Sequence, residues 1–223
     1  MNLFIDSASV TDIKEIISIF PVDGVTTNPS LISKENPASS LKLLGDIREI
    51  LSDQQLLFAQ VIHDDYDKLI EQAYQLVNSL GDNTVIKIPV TPNGLKAIQH
   101  LYNENYKTLA TAVFTAQQTH WAAKAGATYV APYVNRIDHH GGDGVQVVKN
   151  SLAILGNYGY NCQVLAASFK NSKQIFDCTL AGSHALTASP DLLKHSYAHL
   201  SSGTSAVQFQ RDWEDTFGDM ELK

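Results

Sequence analysis

The sequence predicts a (β/α)8 barrel with one additional helix at its C-terminal end. Eight short β-like runs alternate with amphipathic helical segments almost from end to end. The runs are rich in Val, Ile, Ala and Thr, as parallel strands covered on both faces require. No low-complexity linker interrupts the alternation. A chain of 223 residues suits one such barrel, so 1–223 reads as a single domain, with 203–223 as a helical extension. An open doubly wound sheet is the structural rival. It has fewer repeats and a glycine-rich first turn, and no GxGxxG motif occurs here.

The elements follow in order. The first strand, Asn2–Asp6, precedes a helix over Val10–Phe20, whose start is marked by the capping-box pattern Ser9-x-x-Asp12. Gly24–Asn28 pairs with a helix over Ser39–Leu51, Leu56–Val61 with Asp67–Leu80, and Thr84–Val90 with Gly94–Tyr102. Thr108–Phe114 leads to Gln117–Ala125, where Thr115-x-x-Gln118 is a second capping-box pattern. Thr128–Tyr133 leads to Gly144–Leu155, and Gln163–Ser168 to Lys173–Leu180. His184–Ser189 closes the series before Asp191–Leu200, with Ser189-Pro190 as N-cap and first helical position. A ninth segment, Ser205–Phe217, puts Ala206, Phe209, Trp213 and Phe217 on one stripe, which packs either on its own barrel or on a neighbouring copy.

Composition narrows the function. At 44% hydrophobic and 17% charged, the chain suits a globular enzyme with a sizeable core. A net charge of -7 and no Lys/Arg-rich run argue against a nucleic-acid or anionic-membrane partner. Cys162 and Cys178 lack CxxC spacing and read as buried thiols in a reducing compartment. The start MNLFIDSASV has no basic region and its apolar run ends at Asp6, unlike a signal peptide, so a cytoplasmic location is expected. The arginines are Arg48, Arg136 and Arg211; such scarcity gives weight to any one of them at a functional position.

Strand parity sorts each run into inward and outward sets. It sends Asn2, Phe4 and Asp6 inward on the first strand, Thr26 and Asn28 on the second, and Phe58 and Gln60 on the third. The fourth gives Val85, Lys87 and Pro89, and on the fifth Thr111 shares a face with Leu109 and Val113. The sixth gives Tyr129, Ala131 and Tyr133, and the seventh Val164, Ala166 and Ser168. Near the C-terminal ends of seven strands the inward residue is therefore polar: Asp6, Asn28, Gln60, Lys87, Thr111, Tyr133 and Ser168. Barrel enzymes place their active sites at that face.

Lys87 stands out, because TVIKIPV otherwise reads as a buried strand and a desolvated ammonium is costly. It has three possible roles: a counter-ion for Asp6, a phosphate-binding point charge, or an amine nucleophile. Desolvation by Val85, Ile86, Ile88 and Pro89 lowers its pKa from the reference of about 10.4, whereas an ionised Asp6 opposes that shift. A neutral amine attacks a carbonyl to give an iminium ion, an electron sink for C–C cleavage.

The motifs extend this reading. FIDSA (Phe4–Ala8), GVTTNPSLI (Gly24–Ile32), LFAQV (Leu57–Val61) and VIKIPVTPNGLKAI (Val85–Ile98) are followed by TAVF (Thr111–Phe114) and AGATYVAPYVNRID (Ala125–Asp138). VLAASFK (Val164–Lys170) and the late Asp212-Trp213 complete the series. Together they resemble the small class I transaldolase family, most closely its fructose-6-phosphate aldolase branch. The resemblance implies that Lys87 is the Schiff-base residue and Asp6 an acid/base and hydroxyl-orienting group. It assigns Asn28 to the hydroxyls of a dihydroxyacetone unit, with Thr26 beside it among the substrate-binding residues. Gln60, Thr111 and Tyr133 would hold a proton-relaying water, and Arg136 and Ser168 the aldehyde's phosphate. It further implies a cofactor-free reaction, sugar phosphate and dihydroxyacetone as small-molecule partners, and a homo-oligomer, pentamer or decamer.

Transaldolases of similar size carry glutamate where Gln60 stands and phenylalanine where Tyr133 stands, so the aldolase reading is preferred. Transfer of the three-carbon unit to erythrose 4-phosphate is the alternative. Ala110, where a glycine is expected, and His139-His140 depart from the family pattern. The two histidines lie in RIDHHGGDG without metal-ligand spacing, and no metal is expected. A metal-dependent aldolase, or a non-catalytic sugar-phosphate-binding barrel with Lys87 as counter-ion, are the readings from other classes.

Overall fold

The computed structural model describes residues 1–218 and 221. Among these residues, eight parallel strands close into a barrel in sequence order, β1 against β8. The strands are β1 (Asn2–Asp6), β2 (Gly24–Thr26), β3 (Leu56–Gln60), β4 (Thr84–Pro89), β5 (Thr108–Val113), β6 (Tyr129–Pro132), β7 (Gln163–Ala166) and β8 (Ala185–Ala188). The predicted fold class is therefore correct.

The interior is packed by one cluster that includes Phe4, Phe58, Val85, Leu109, Tyr129, Leu165 and Ala185. Phe4 and Phe58 meet edge to face with ring centroids 4.9 Å apart, and Phe58 meets Tyr129 at 5.3 Å. This aromatic plug fills the barrel below the C-terminal rim, leaving the rim as the place for a cavity. Two larger clusters fill the space between strands and helices. Ile86 and Ile88 lie in one of them, as parity requires of residues flanking Lys87.

The helices are α1 (Val10–Ile19), α2 (Pro29–Lys34), α3 (Ser40–Ile50), α4 (Tyr66–Leu80), α5 (Pro92–Asn103) and α6 (Ala116–Lys124). They continue as α7 (Val134–His139), α8 (Gly144–Tyr158), α9 (Ser172–Leu180), α10 (Pro190–Tyr197) and α11 (Leu200–Phe217). The capping box of Thr115 and Gln118 is complete, and Ser189 caps α10 with Pro190 in its first turn. Gly94 lets α5 crowd the end of β4: a Cβ there would lie 2.0 Å from the Pro89 carbonyl oxygen.

Two helices, α2 and α7, were not expected. Each has six residues, too few to show a helical period. They shorten the strands before them. β2 ends at Thr26 because Asn28 caps α2, whose first residue is Pro29. The last helix begins at Leu200, five residues before the predicted start, and none of its residues is buried. Phe209 is 70% exposed and Phe217 56%. Of the predicted 203–223 extension, residues 219, 220, 222 and 223 lie outside the described residues. Among the described residues no helix is long and apolar enough to cross a membrane.

Candidate active site

One cavity of about 300 Å³ opens at the C-terminal rim, a volume at the lower end of small-molecule sites. Every residue singled out from the sequence lines it: Asp6, Thr26, Asn28, Gln60, Lys87, Thr111, Tyr133, Arg136 and Ser168. They arrive there by different routes.

Lys87 stands in the middle of β4 between Ile86 and Ile88, both fully buried, and is itself only 6% exposed. Its Nζ donates to the Thr27 carbonyl oxygen at 2.5 Å. Burial pushes its pKa below that of a solvated lysine, and the Asp6 charge acts in the opposite direction. The net effect makes a neutral amine accessible at lower pH than for an exposed lysine. Among the described residues no carboxylate lies within 4.0 Å of Nζ, so Asp6 acts through space rather than as a contact ion pair.

Asp6 ends β1 and accepts a hydrogen bond from the Thr26 hydroxyl at 2.8 Å. Thr26 is in turn 2.6 Å from the Thr187 hydroxyl. A hydroxyl has one proton, and that of Thr26 is committed to Asp6, so Thr187 donates to Thr26. The resulting chain, Thr187 to Thr26 to Asp6, orients the carboxylate. Thr187 was missed in the sequence, although the same parity rule applied to the eighth strand would have turned it inward with Ala185.

Asn28 uses its Oδ1 to accept the Leu31 N–H at the start of α2, which leaves its Nδ2 donors for the cavity. Gln60 ends β3, and its side-chain amide has no hydrogen-bond partner among the described residues, so it is available to a ligand or a water. Across the cavity, the Thr111 and Tyr133 hydroxyls are 2.7 Å apart. Tyr133 precedes α7 directly, and Arg136 follows one turn later with its guanidinium 4.9 Å from the Tyr133 ring centroid.

The seventh strand corrects the parity reading. Leu165 belongs to the interior cluster, and Val164 and Ala166 face the helices, the reverse of the expected set. Ser168 still lines the cavity, because its own backbone is left-handed at φ 61°. The fifth strand behaves similarly. Ala112 has φ 55°, the register with β6 shifts between Ala110 and Val113, and Val113 packs outward instead of sharing the face of Thr111. No local sequence signal marks either site, since neither residue is glycine or asparagine.

The His139 and His140 rings are 5.9 Å apart, and His140 Nδ1 lies 2.6 Å from the Arg136 carbonyl oxygen, which ties the ring to α7. Among the described residues no group of three or more His, Cys, Asp or Glu is placed to hold a metal ion.

A buried lysine of lowered pKa beside a carboxylate, with a hydroxyl pair opposite and an arginine at the mouth, is a constellation for carbonyl chemistry on an anionic substrate. The sequence model of the transaldolase/fructose-6-phosphate aldolase family matches residues 3–220. The chain belongs to this family. Membership of the transaldolase/fructose-6-phosphate aldolase family makes it an enzyme of the transaldolase or aldolase type, and the match includes every residue of the cavity and all of the barrel strands except Asn2 at the start of β1.

Proposed function

We propose that the protein is a class I aldolase that cleaves and forms fructose 6-phosphate through a Schiff base on Lys87. The observation that carries this reading is the burial of Lys87 at the base of the cavity, with its pKa lowered. The neutral amine adds to the ketose carbonyl at C2, and loss of water gives an iminium ion. Removal of the C4 hydroxyl proton by Asp6, directly or through water, lets the C3–C4 bond break. Its electron pair moves into the iminium to form an enamine, and glyceraldehyde 3-phosphate leaves. Protonation of the enamine at C3 and hydrolysis release dihydroxyacetone and the free amine.

Asn28 and Thr26 are suited to the hydroxyls of the three-carbon unit, and Arg136 with Ser168 to the phosphate, where a guanidinium fork and a hydroxyl donor complement its oxygens. Gln60, Thr111 and Tyr133 are suited to hold the water that protonates the enamine. This amide and phenol pair supports aldolase over transaldolase turnover, because both groups can donate to a water that gives up its proton. The apolar residues that α11 leaves exposed, Leu200, Val207, Phe209 and Phe217, support assembly with further copies of the chain.

Borohydride reduction in the presence of dihydroxyacetone, followed by peptide mass spectrometry, tests the covalent step; the expected adduct is on the Lys87 peptide, and its absence overturns the mechanism. Fructose 6-phosphate assayed alone and with erythrose 4-phosphate tests the reaction. Turnover without acceptor is expected, and turnover only with acceptor would make the enzyme a transaldolase.

A further inference from the structure

The phosphate rim has an unusual foundation. Ser168 reaches the cavity through a left-handed backbone that L residues rarely adopt, so neighbouring contacts must hold it there. On one side, α7 does so: the Val134 and Asn135 N–H groups donate to the Ala167 and Ser168 carbonyl oxygens at 3.0 and 2.9 Å. On the other side stands Gln174, in the first turn of α9 and only 9% exposed. Its Oε1 accepts the Lys170 N–H at 2.8 Å, two residues past Ser168. Its Nε2 donates to Asp138 Oδ2 at 2.7 Å and to Asn135 Oδ1 at 3.4 Å. Both of these residues lie on α7, with Arg136 between them.

One side-chain amide therefore joins the segment that carries Ser168 to the helix that carries Arg136. The other oxygen of Asp138 accepts the Gly144 N–H at 2.7 Å, at a point where a Cβ on residue 144 would lie 2.5 Å from the Val134 carbonyl oxygen. Asp138 is thus anchored to α8, and Gln174 fastens the Ser168 segment to an anchored partner.

We infer that Gln174 is a positioning residue that sets the spacing of Arg136 and Ser168, and so the affinity for the substrate's phosphate; the inference rests on the phosphate assignment proposed above. Gln174 does not touch the cavity itself. Its amide is needed at both ends, as acceptor toward Lys170 and as donor toward Asp138. Glutamate keeps the shape and the acceptor but sets a carboxylate against the carboxylate of Asp138. Pairing it with Asp138→Asn restores the bond with reversed polarity: the new amide keeps an oxygen for Gly144 and turns its nitrogen toward the glutamate.

The test measures KM for glyceraldehyde 3-phosphate and for unphosphorylated glyceraldehyde, with dihydroxyacetone as the other substrate. Gln174→Glu is expected to raise KM for the phosphorylated aldehyde about tenfold, with the other aldehyde's KM and kcat within about twofold. The double variant Gln174→Glu/Asp138→Asn is expected to recover most of the loss. Equal changes for both aldehydes, no change for either, or no recovery in the double variant would overturn the inference. Arg136→Ala, measured in parallel, separates this from its premise. If Arg136→Ala also affects the two aldehydes equally, the phosphate assignment itself has failed; if it discriminates between them and Gln174→Glu does not, only the role of Gln174 has.

Discussion

The two sides of the cavity are built in different ways. From β1 to β4, Asp6, Thr26, Gln60 and Lys87 step off regular strands, and their neighbours in register pair without interruption. From β5 to β8 the backbone turns left-handed at Ala112 and again at Ser168, and β5 carries a bulge; a short helix follows a strand on each side, α2 after Asn28 and α7 bearing Arg136. The regular side holds the desolvated amine, whose pKa depends on close and lasting packing. The irregular side holds the exposed cation, where direction matters more than dryness. An electrostatic environment that shifts a pKa needs a rigid scaffold; a phosphate can be gripped from loops.

Substitutions can break or sharpen that contrast. The largest effect is expected on the regular side. Lys87→Met should lower kcat on the order of 10⁴-fold or more and abolish borohydride trapping. The same variant has a signature in stability. Burial lowers the folded-state pKa of Lys87, so on raising the pH the folded protein releases this proton before the unfolded chain does. The unfolded state then binds more protons, and stability rises with pH from the folded-state pKa up to the unfolded value of about 10.4. Lys87→Met removes this slope, and denaturant titrations from neutral to alkaline pH should show its advantage over the parent shrinking across that interval.

Asp6→Asn should come next, with kcat lower by about 10²- to 10³-fold. Loss of the Asp6 charge removes the influence that raises the Lys87 pKa, so the acidic limb of adduct formation should move to lower pH. On the irregular side the effects should fall on KM. Arg136→Ala should raise KM for the phosphorylated aldehyde by about 10- to 100-fold while leaving Lys87 trapping by dihydroxyacetone intact. Ser168→Gly should raise that KM less, by a few-fold on the order of one neutral hydrogen bond, and should raise stability by about 0.5 kcal/mol through relief at φ 61°. A trapping rate that fell with Arg136→Ala would erase the division between the two sides.

The smallest effect on the cavity is expected from Phe209→Glu on α11. It should change kcat less than about twofold, since no residue of α11 lines the cavity, and should lower the mass measured by light scattering. An unchanged mass would remove α11 from the proposed contact between copies.

The same division explains what could be read in the sequence. Alternation is a property of regular strands, so it placed Phe58 with Gln60 and Val85 with Lys87 correctly. It failed on β7, where Leu165 turns inward, because a single left-handed residue after the strand changes which side chains meet the cavity. Ser168 lines the cavity through its left-handed backbone and not through strand parity. The capping residues Thr115 and Ser189 were legible because their chemistry is local. Helix α7 was not, since Tyr133 gives it no side-chain cap and its six residues complete fewer than two turns. Gln174 was passed over for a related reason: its partners, Lys170, Asp138 and Asn135, converge only once α7 and α9 lie side by side.

Gly94 has a consequence for how this site can change. With the Pro89 carbonyl 2.0 Å from where a Cβ would stand, any other residue at 94 must move the end of the lysine strand. Random variation at that position is therefore closed before it can be tested by function. Position 168 is constrained too, because most side chains are strained at φ 61°, which leaves the solvated position 136 as the more open one. The strand that carries Lys87 is held in place partly by a missing methyl group.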